Sequence, residues 1–141
     1  MKKGFTLIEL LIVMVLIGVL VVVALPKYQR ALERGRALEG LTNLRAAMDY
    51  ANAHYLLDGS YSNVISTADM VKNKYFPLDD MSYSCSSAST SCMITLPRGG
   101  SDWGYELVGV STNGEPASLK CENTGAEDVC TQLDLDASNL L

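Results

Sequence analysis

Met1-Lys2-Lys3-Gly4-Phe5-Thr6-Leu7-Ile8-Glu9 opens an apolar run that continues almost unbroken to Leu25. As a helix, Phe5 to Leu25 would be about 30 Å long, the thickness of a bilayer's hydrocarbon core. The run is therefore long enough to span a membrane. Lys2 and Lys3 precede it with no acidic neighbour, so the positive-inside bias keeps the N-terminus cytoplasmic and sends the rest of the chain outward. A cleaved secretory signal would need a shorter apolar core and a small-residue site after it, and Val22-Val23-Ala24 followed by Pro26 does not match that pattern well.

Glu9 is the one charge inside the run. A carboxylate in a membrane helix is costly and by default points to function. The plainer reading is that Glu9 lies only about 6 Å along the helix from Phe5 and reaches the headgroups.

Lys3-Gly4-Phe5-Thr6-Leu7-Ile8-Glu9 resembles the processing signal of type IV pilins and their pseudopilin relatives. The resemblance implies cleavage by a prepilin peptidase between Gly4 and Phe5, on the cytoplasmic side, and N-methylation of Phe5. Gly18 and Pro26 stand where that family carries helix-breaking residues, which implies loss of helix between them on assembly. Close resemblance covers about residues 1 to 60. Beyond that, only strands with a C-terminal cysteine pair match the family's plan.

The resulting division is a leader at 1–4, a transmembrane and assembly helix at 5–25, an amphipathic helix at 26–58 and a head at 59–141. The fold class is α+β and pilin-like, a long N-terminal helix packed on a small antiparallel sheet. From Lys27 to Leu57 the apolar residues Tyr28, Ala31, Leu32, Leu38, Leu41, Leu44, Met48, Ala51 and Tyr55 recur at three- and four-residue steps, the mark of an amphipathic helix. Glu33/Arg36 and Arg45/Asp49 are spaced as intrahelical charge pairs on a solvated face. Asp58-Gly59 supplies a stop. Val19, Val21, Val22 and Val23, between Gly18 and Pro26, weaken the helix once it leaves lipid.

Residues 60 to 80 read as a connecting loop, with a short helical pattern from Ala68 to Tyr75. Strand patterns follow at Met81–Ser84, Met93–Leu96, Trp103–Val110 and Ala117–Cys121. Thr112-Asn113-Gly114-Glu115 is a hairpin turn between the last two, so the sheet should be an antiparallel meander.

Fewer than ninety residues remain for the head, and a core that small gains from cross-links. Cys85, Cys92, Cys121 and Cys130 would face an oxidising compartment, where pairing prevails over metal binding, and no C-x-x-C spacing suggests otherwise. Of the three possible connectivities the local one, 85 with 92 and 121 with 130, is the simplest. The 121 to 130 loop resembles the disulfide-bounded C-terminal region of type IV pilins, a pair that major secretion pseudopilins usually lack.

Residues 1 to 45 carry a net charge of +4 and residues 46 to 141 a net −9. An acidic head is a poor footprint for nucleic acid, so no direct nucleic-acid binding is expected. His54 is the single histidine and has no nucleophile placed beside it, so no catalytic constellation can be argued. Asp79-Asp80 and Asp134-x-Asp136 lack the glycine and glutamate of a calcium loop, and Gly99-Gly100 lacks the spacing of a phosphate loop. Neither a cofactor nor a metal is implied, and an enzyme is not expected.

The leading reading is a structural subunit of a type IV pilus, its filament serving motility, adhesion or DNA uptake. Its partners would be copies of itself and other pilins, the prepilin peptidase, an inner-membrane assembly platform, and the membrane before assembly. The alternative is a pseudopilin of a type II secretion or competence system. A third reading, from another class, is a membrane-anchored binding module.

Overall fold

The structure, a computed structural model, describes residues 5–61, 73–85, 90–100, 103–125 and 128–135. One helix, α1 (Leu7–Asp58), runs through 52 residues and packs its C-terminal half on a four-stranded sheet. The strands are β1 (Ser82–Cys85), β2 (Ser91–Pro97), β3 (Tyr105–Thr112) and β4 (Ser118–Asn123). They pair antiparallel in the order β1-β2-β3-β4, a meander. A single turn of helix, α2 (Val129–Gln132), follows.

The ends of α1 are set by local chemistry. Thr6 is the N-cap: its hydroxyl accepts from the Glu9 N–H at 3.3 Å, and Glu9 Oε2 accepts in return from the Thr6 N–H at 2.9 Å. This is a capping box, which satisfies two of the orphan donors of the first turn. At the other end Gly59 takes a left-handed φ of 69° and its N–H donates to the Tyr55 carbonyl at 2.7 Å. Between them α1 passes Gly18 and Pro26 without interruption, although Pro26 offers no N–H to the Val22 carbonyl.

The face that α1 buries agrees with the expected one at Leu44, Met48 and Ala51, with Leu41 and Tyr55 packed beside them, and departs from it nearer the N-terminus. Its buried residues are Glu33, Ala37, Gly40, Asn43, Leu44, Ala47, Met48, Ala51 and Asn52, while Tyr28, Leu32 and Leu38 lie exposed. Small side chains let the sheet come close. Gly40 lies so near the Phe76 ring that a Cβ there would stand 2.7 Å from Cδ2, and one at Gly109 would stand 2.7 Å from Met48 Cγ.

A pair of substitutions tests that packing. Gly40→Ala removes a helical glycine, worth about 1 kcal/mol in propensity. It also forces the methyl into a fully buried ring held edge-on against Tyr105, which costs about 1–3 kcal/mol. Net destabilisation is expected in chemical denaturation. Gly35→Ala, where nothing lies within 4 Å, keeps the propensity gain and should stabilise.

The sheet is close to its predicted form, with two adjustments. Trp103 precedes β3 instead of opening it, and the 73–75 part of the expected short helix is non-helical, a 3-10 turn forming at Leu78–Asp80 instead. The remainder of that expected helix lies outside the described residues. Asn113 and Gly114, at φ 56° and 74°, make the β3–β4 turn, and the Glu115 N–H donates to the Thr112 carbonyl at 3.0 Å. On the sheet face toward α1, Ile94, Leu96, Tyr105, Leu107 and Leu119 form the core with Leu44, Met48 and Phe76.

Candidate functional site

Three features carry the chemistry: a naked apolar helix, a buried ion cluster that holds the head on it, and two disulfides. The large apolar side chains from Phe5 to Leu25 are 45% to 87% exposed, so none of the run contributes to the head's core. It is long and apolar enough to cross a membrane. At its start Glu9 receives both the N–H and the hydroxyl of Thr6, the latter at 2.8 Å. Phe5 is exposed and adjoins this cap, whereas Gly4 lies outside the described residues. Gly18, with nothing within 4 Å, and Pro26 lie within the exposed stretch.

Glu33 corrects the reading of the α1 charges as a solvated face. It is fully buried, and its carboxylate accepts from four donors: Arg98 Nε, Arg98 Nη2 at 3.2 Å, Arg36 Nη1 at 3.1 Å and the Tyr105 hydroxyl at 3.0 Å. Arg98, directly after β2, also donates to the Tyr75 carbonyl at 3.0 Å and to the Gly99 carbonyl at 2.8 Å. Both guanidiniums lie over the Tyr75 ring, Arg36 at 4.3 Å and Arg98 at 4.9 Å.

Burial pushes the Glu33 carboxyl up, but the Arg98 and Arg36 hydrogen bonds, the Arg98 charge and the Tyr105 hydroxyl outweigh it and hold it below its ordinary value. The Tyr105 phenol is raised by burial, then by the charge and hydrogen bond of Glu33. A second polar clamp sits higher on the helix, where Asn52 donates to the Glu115 carbonyl at 2.9 Å and accepts from the Ser111 hydroxyl at 2.6 Å. Neither network has a local signature in the sequence.

Cys85 is bonded to Cys92 and Cys121 to Cys130. The first pair joins directly opposed residues of β1 and β2 at an exposed edge. The second ties β4 to α2 and thereby seats Leu133 and Leu135 in the core, with Asp134 paired to Arg34 at 2.8 Å. Each closed loop contributes about 2.5 kcal/mol in the chain-entropy model. Cys121→Ser should lower head stability by about that amount and also free the tail from α1, reducing the yield of soluble, protease-resistant head. Cys85→Ser releases only the edge hairpin and should leave that yield closer to wild type.

Among the described residues no three His, Cys, Asp or Glu side chains gather as metal ligands. His54 Nδ1 stands 3.1 Å from Asp58 Oδ2, one turn apart on α1. Asp136 lies outside the described residues.

Residues 1–25 match the model of the prokaryotic N-terminal methylation motif. The type IV major fimbrial protein FimA of Dichelobacter nodosus is 31% identical over 110 residues, which cover 70% of this chain and 68% of that protein. The chain belongs to the type IV pilin family. Other similar pilins include a fimbrial protein of Neisseria meningitidis serogroup B, 35% identical over 53% of this chain and 47% of that protein. The type IV major pilin PilA of Myxococcus xanthus is 32% identical over 66% of this chain and 41% of its own length. This pilin thus spans less than half the length of the Neisseria relatives it matches. No solved structure matches it. These relatives are named as pilins and fimbrial proteins.

Proposed function

We propose that this pilin is a structural subunit of a type IV pilus, held in the inner membrane with its N-terminus cytoplasmic until it is polymerised through α1. The observation that carries this is the exposed apolar surface from Phe5 to Leu25, directly continuous with the methylation motif. Such a surface needs lipid, or other helices like itself, at every stage. The head leaves it uncovered.

On this reading a prepilin peptidase cuts between Gly4 and Phe5 and Phe5 is N-methylated. An inner-membrane assembly platform then passes the subunit to a filament of its own copies and other pilins. Gly18 and Pro26 bound the segment that loses helix on leaving lipid. Motility, adhesion or DNA uptake are properties of that filament. A pseudopilin of a secretion or competence system is disfavoured, because the relatives are named as major pilins and fimbrial proteins.

The test is the composition of the surface filament. Sheared filaments should contain this chain beginning at a methylated Phe5, read by mass spectrometry of the N-terminal peptide. Absence from that fraction, or an intact Met1 in the membrane-resident protein, would overturn the reading.

A further inference from the structure

The underside of the head, where α1 emerges toward its apolar run, differs chemically from the rest. A cleft of about 550 Å³ there is lined by Arg36, Lys74, Tyr75, Asp80, Arg98 and Trp103, among others. A second hollow, lined by Gln29, Leu32, Arg36 and Trp103, continues it down the helix. On the other side of α1 a third is lined by Arg30, Arg34 and the 132–134 turn. Cations and amphipathic rings thus surround the helix over about two turns, on a chain whose residues 46 to 141 carry net −9.

Height along α1 decides what this ring meets. Gln29 is four residues past Leu25, about 6 Å along the axis, and Arg36 about 16 Å. Long side chains on a helix lean back toward its N-terminus, which brings the Arg30 and Arg36 heads lower still. If Phe5–Leu25 fills the hydrocarbon, the headgroup layer extends about 5–8 Å beyond Leu25. The hollow that joins Trp103 to Gln29 opens into that layer at its Gln29 end, while its Leu32 and Arg36 walls stand about 10 and 16 Å beyond Leu25. Trp and Tyr favour this depth, because their rings are apolar and their N–H and O–H groups are wet.

We propose that this underside is a docking surface for anionic phospholipid headgroups. It would seat the waiting subunit on the outer face of the membrane with Trp103 at the interface and Arg30 and Lys74 toward lipid phosphates. The proposal rests on the membrane reading of Phe5–Leu25. Arg34, Arg36 and Arg98 contribute less, being already paired with Asp134 and Glu33. Extraction into a filament then has to break these contacts, so lipid charge sets how readily the subunit leaves.

Trp103 is the sole tryptophan, so its fluorescence reads the contact directly. The full chain is placed in nanodiscs of phosphatidylcholine alone or mixed with phosphatidylglycerol, one copy per disc, and Trp103 is quenched with neutral acrylamide. Each basic side chain near an anionic surface contributes about a fivefold factor in affinity. Quenching should therefore fall about twofold in the anionic discs and recover at high salt, where screening is short-ranged. The Arg30→Ser/Lys74→Ser double variant, with an unchanged thermal melt, should lose the protection.

Equal quenching in the two lipids would overturn the docking surface. So would protection that appears only with several copies per disc, which would mean that a second subunit covers the cleft. Hydrogen exchange over 5–25 separates the two levels. Slow exchange there with an unprotected Trp103 defeats the docking alone, whereas fast exchange defeats the membrane reading and the docking with it.

Discussion

Arg98→Ala should destabilise the head by about 3–5 kcal/mol, the usual consequence of removing one partner from a buried ion pair. Glu33 is wholly inaccessible, and Arg98 supplies two of its four hydrogen bonds and the nearest full charge. Arg36 and Tyr105 remain in the variant, which places the loss toward the lower end of that range. The Tyr75 and Gly99 carbonyls lose a donor as well. Urea unfolding of the detergent-solubilised chain, followed by near-UV circular dichroism, measures the effect. Replacing both partners by apolar residues, Glu33→Leu with Arg98→Met, should cost less than Arg98→Ala alone, because no charge is then left buried.

The same carboxylate gives a pH signature. Its pKa in the folded chain lies below its ordinary value of 4.5. A depressed carboxyl contributes stability that is fully present above the unfolded value and lost as pH falls through the folded one. The gap between wild type and Arg98→Ala should therefore be widest near neutrality and narrow below about pH 4. A gap that stays constant into acid would mean that Arg98 acts through packing on Tyr75 and not through charge.

The helix, the meander and the hairpin turn at Asn113-Gly114 were legible because each is written in neighbouring residues: an apolar run, period-two alternation, a dipeptide that accepts positive φ. What was not legible is long-range. Glu33 and Arg98 are 65 positions apart, and Arg36, three residues from Glu33, offered a local partner that made a solvated pair look sufficient. A signal did exist. Positions 33, 37, 40, 44, 47 and 51 form one helical stripe, occupied by Glu, Ala, Gly, Leu, Ala and Ala. Weighing large apolar residues pulled the expected face toward Leu32 and Leu38, whereas a stripe of small residues marks where a sheet comes close. An acid in line with such a stripe is a candidate for burial with a distant base. The alternation of Trp103 with Tyr105 and Leu107 predicts a strand that includes Trp103. The Gly104 that follows it comes so near Gly125 that a Cβ would stand 3.1 Å from its backbone nitrogen, and pairing of β3 begins only at Tyr105.

Glu9→Leu should leave cleavage and membrane insertion intact yet abolish or sharply reduce filament formation. Cleavage after Gly4 would create an ammonium on Phe5, and N-methylation keeps it basic, so it carries charge near neutral pH. In a filament core an unmatched carboxylate is strongly unfavourable, and one matched to a neighbour's ammonium is far less so. Glu9 of one helix beside Phe5 of the next would fix an axial stagger that apolar packing specifies weakly. The structure adds a competing role, because Glu9 already closes the capping box with Thr6, and Leu removes that as well. Glu9→Gln separates the two. Its amide oxygen can still accept from the Thr6 N–H, so the cap survives while the charge is gone. If charge pairing drives assembly, Glu9→Gln should fail in sheared-filament yield nearly as badly as Glu9→Leu. Wild-type yield from the glutamine variant would assign Glu9 to helix capping, and wild-type yield from both would leave it neither role in assembly.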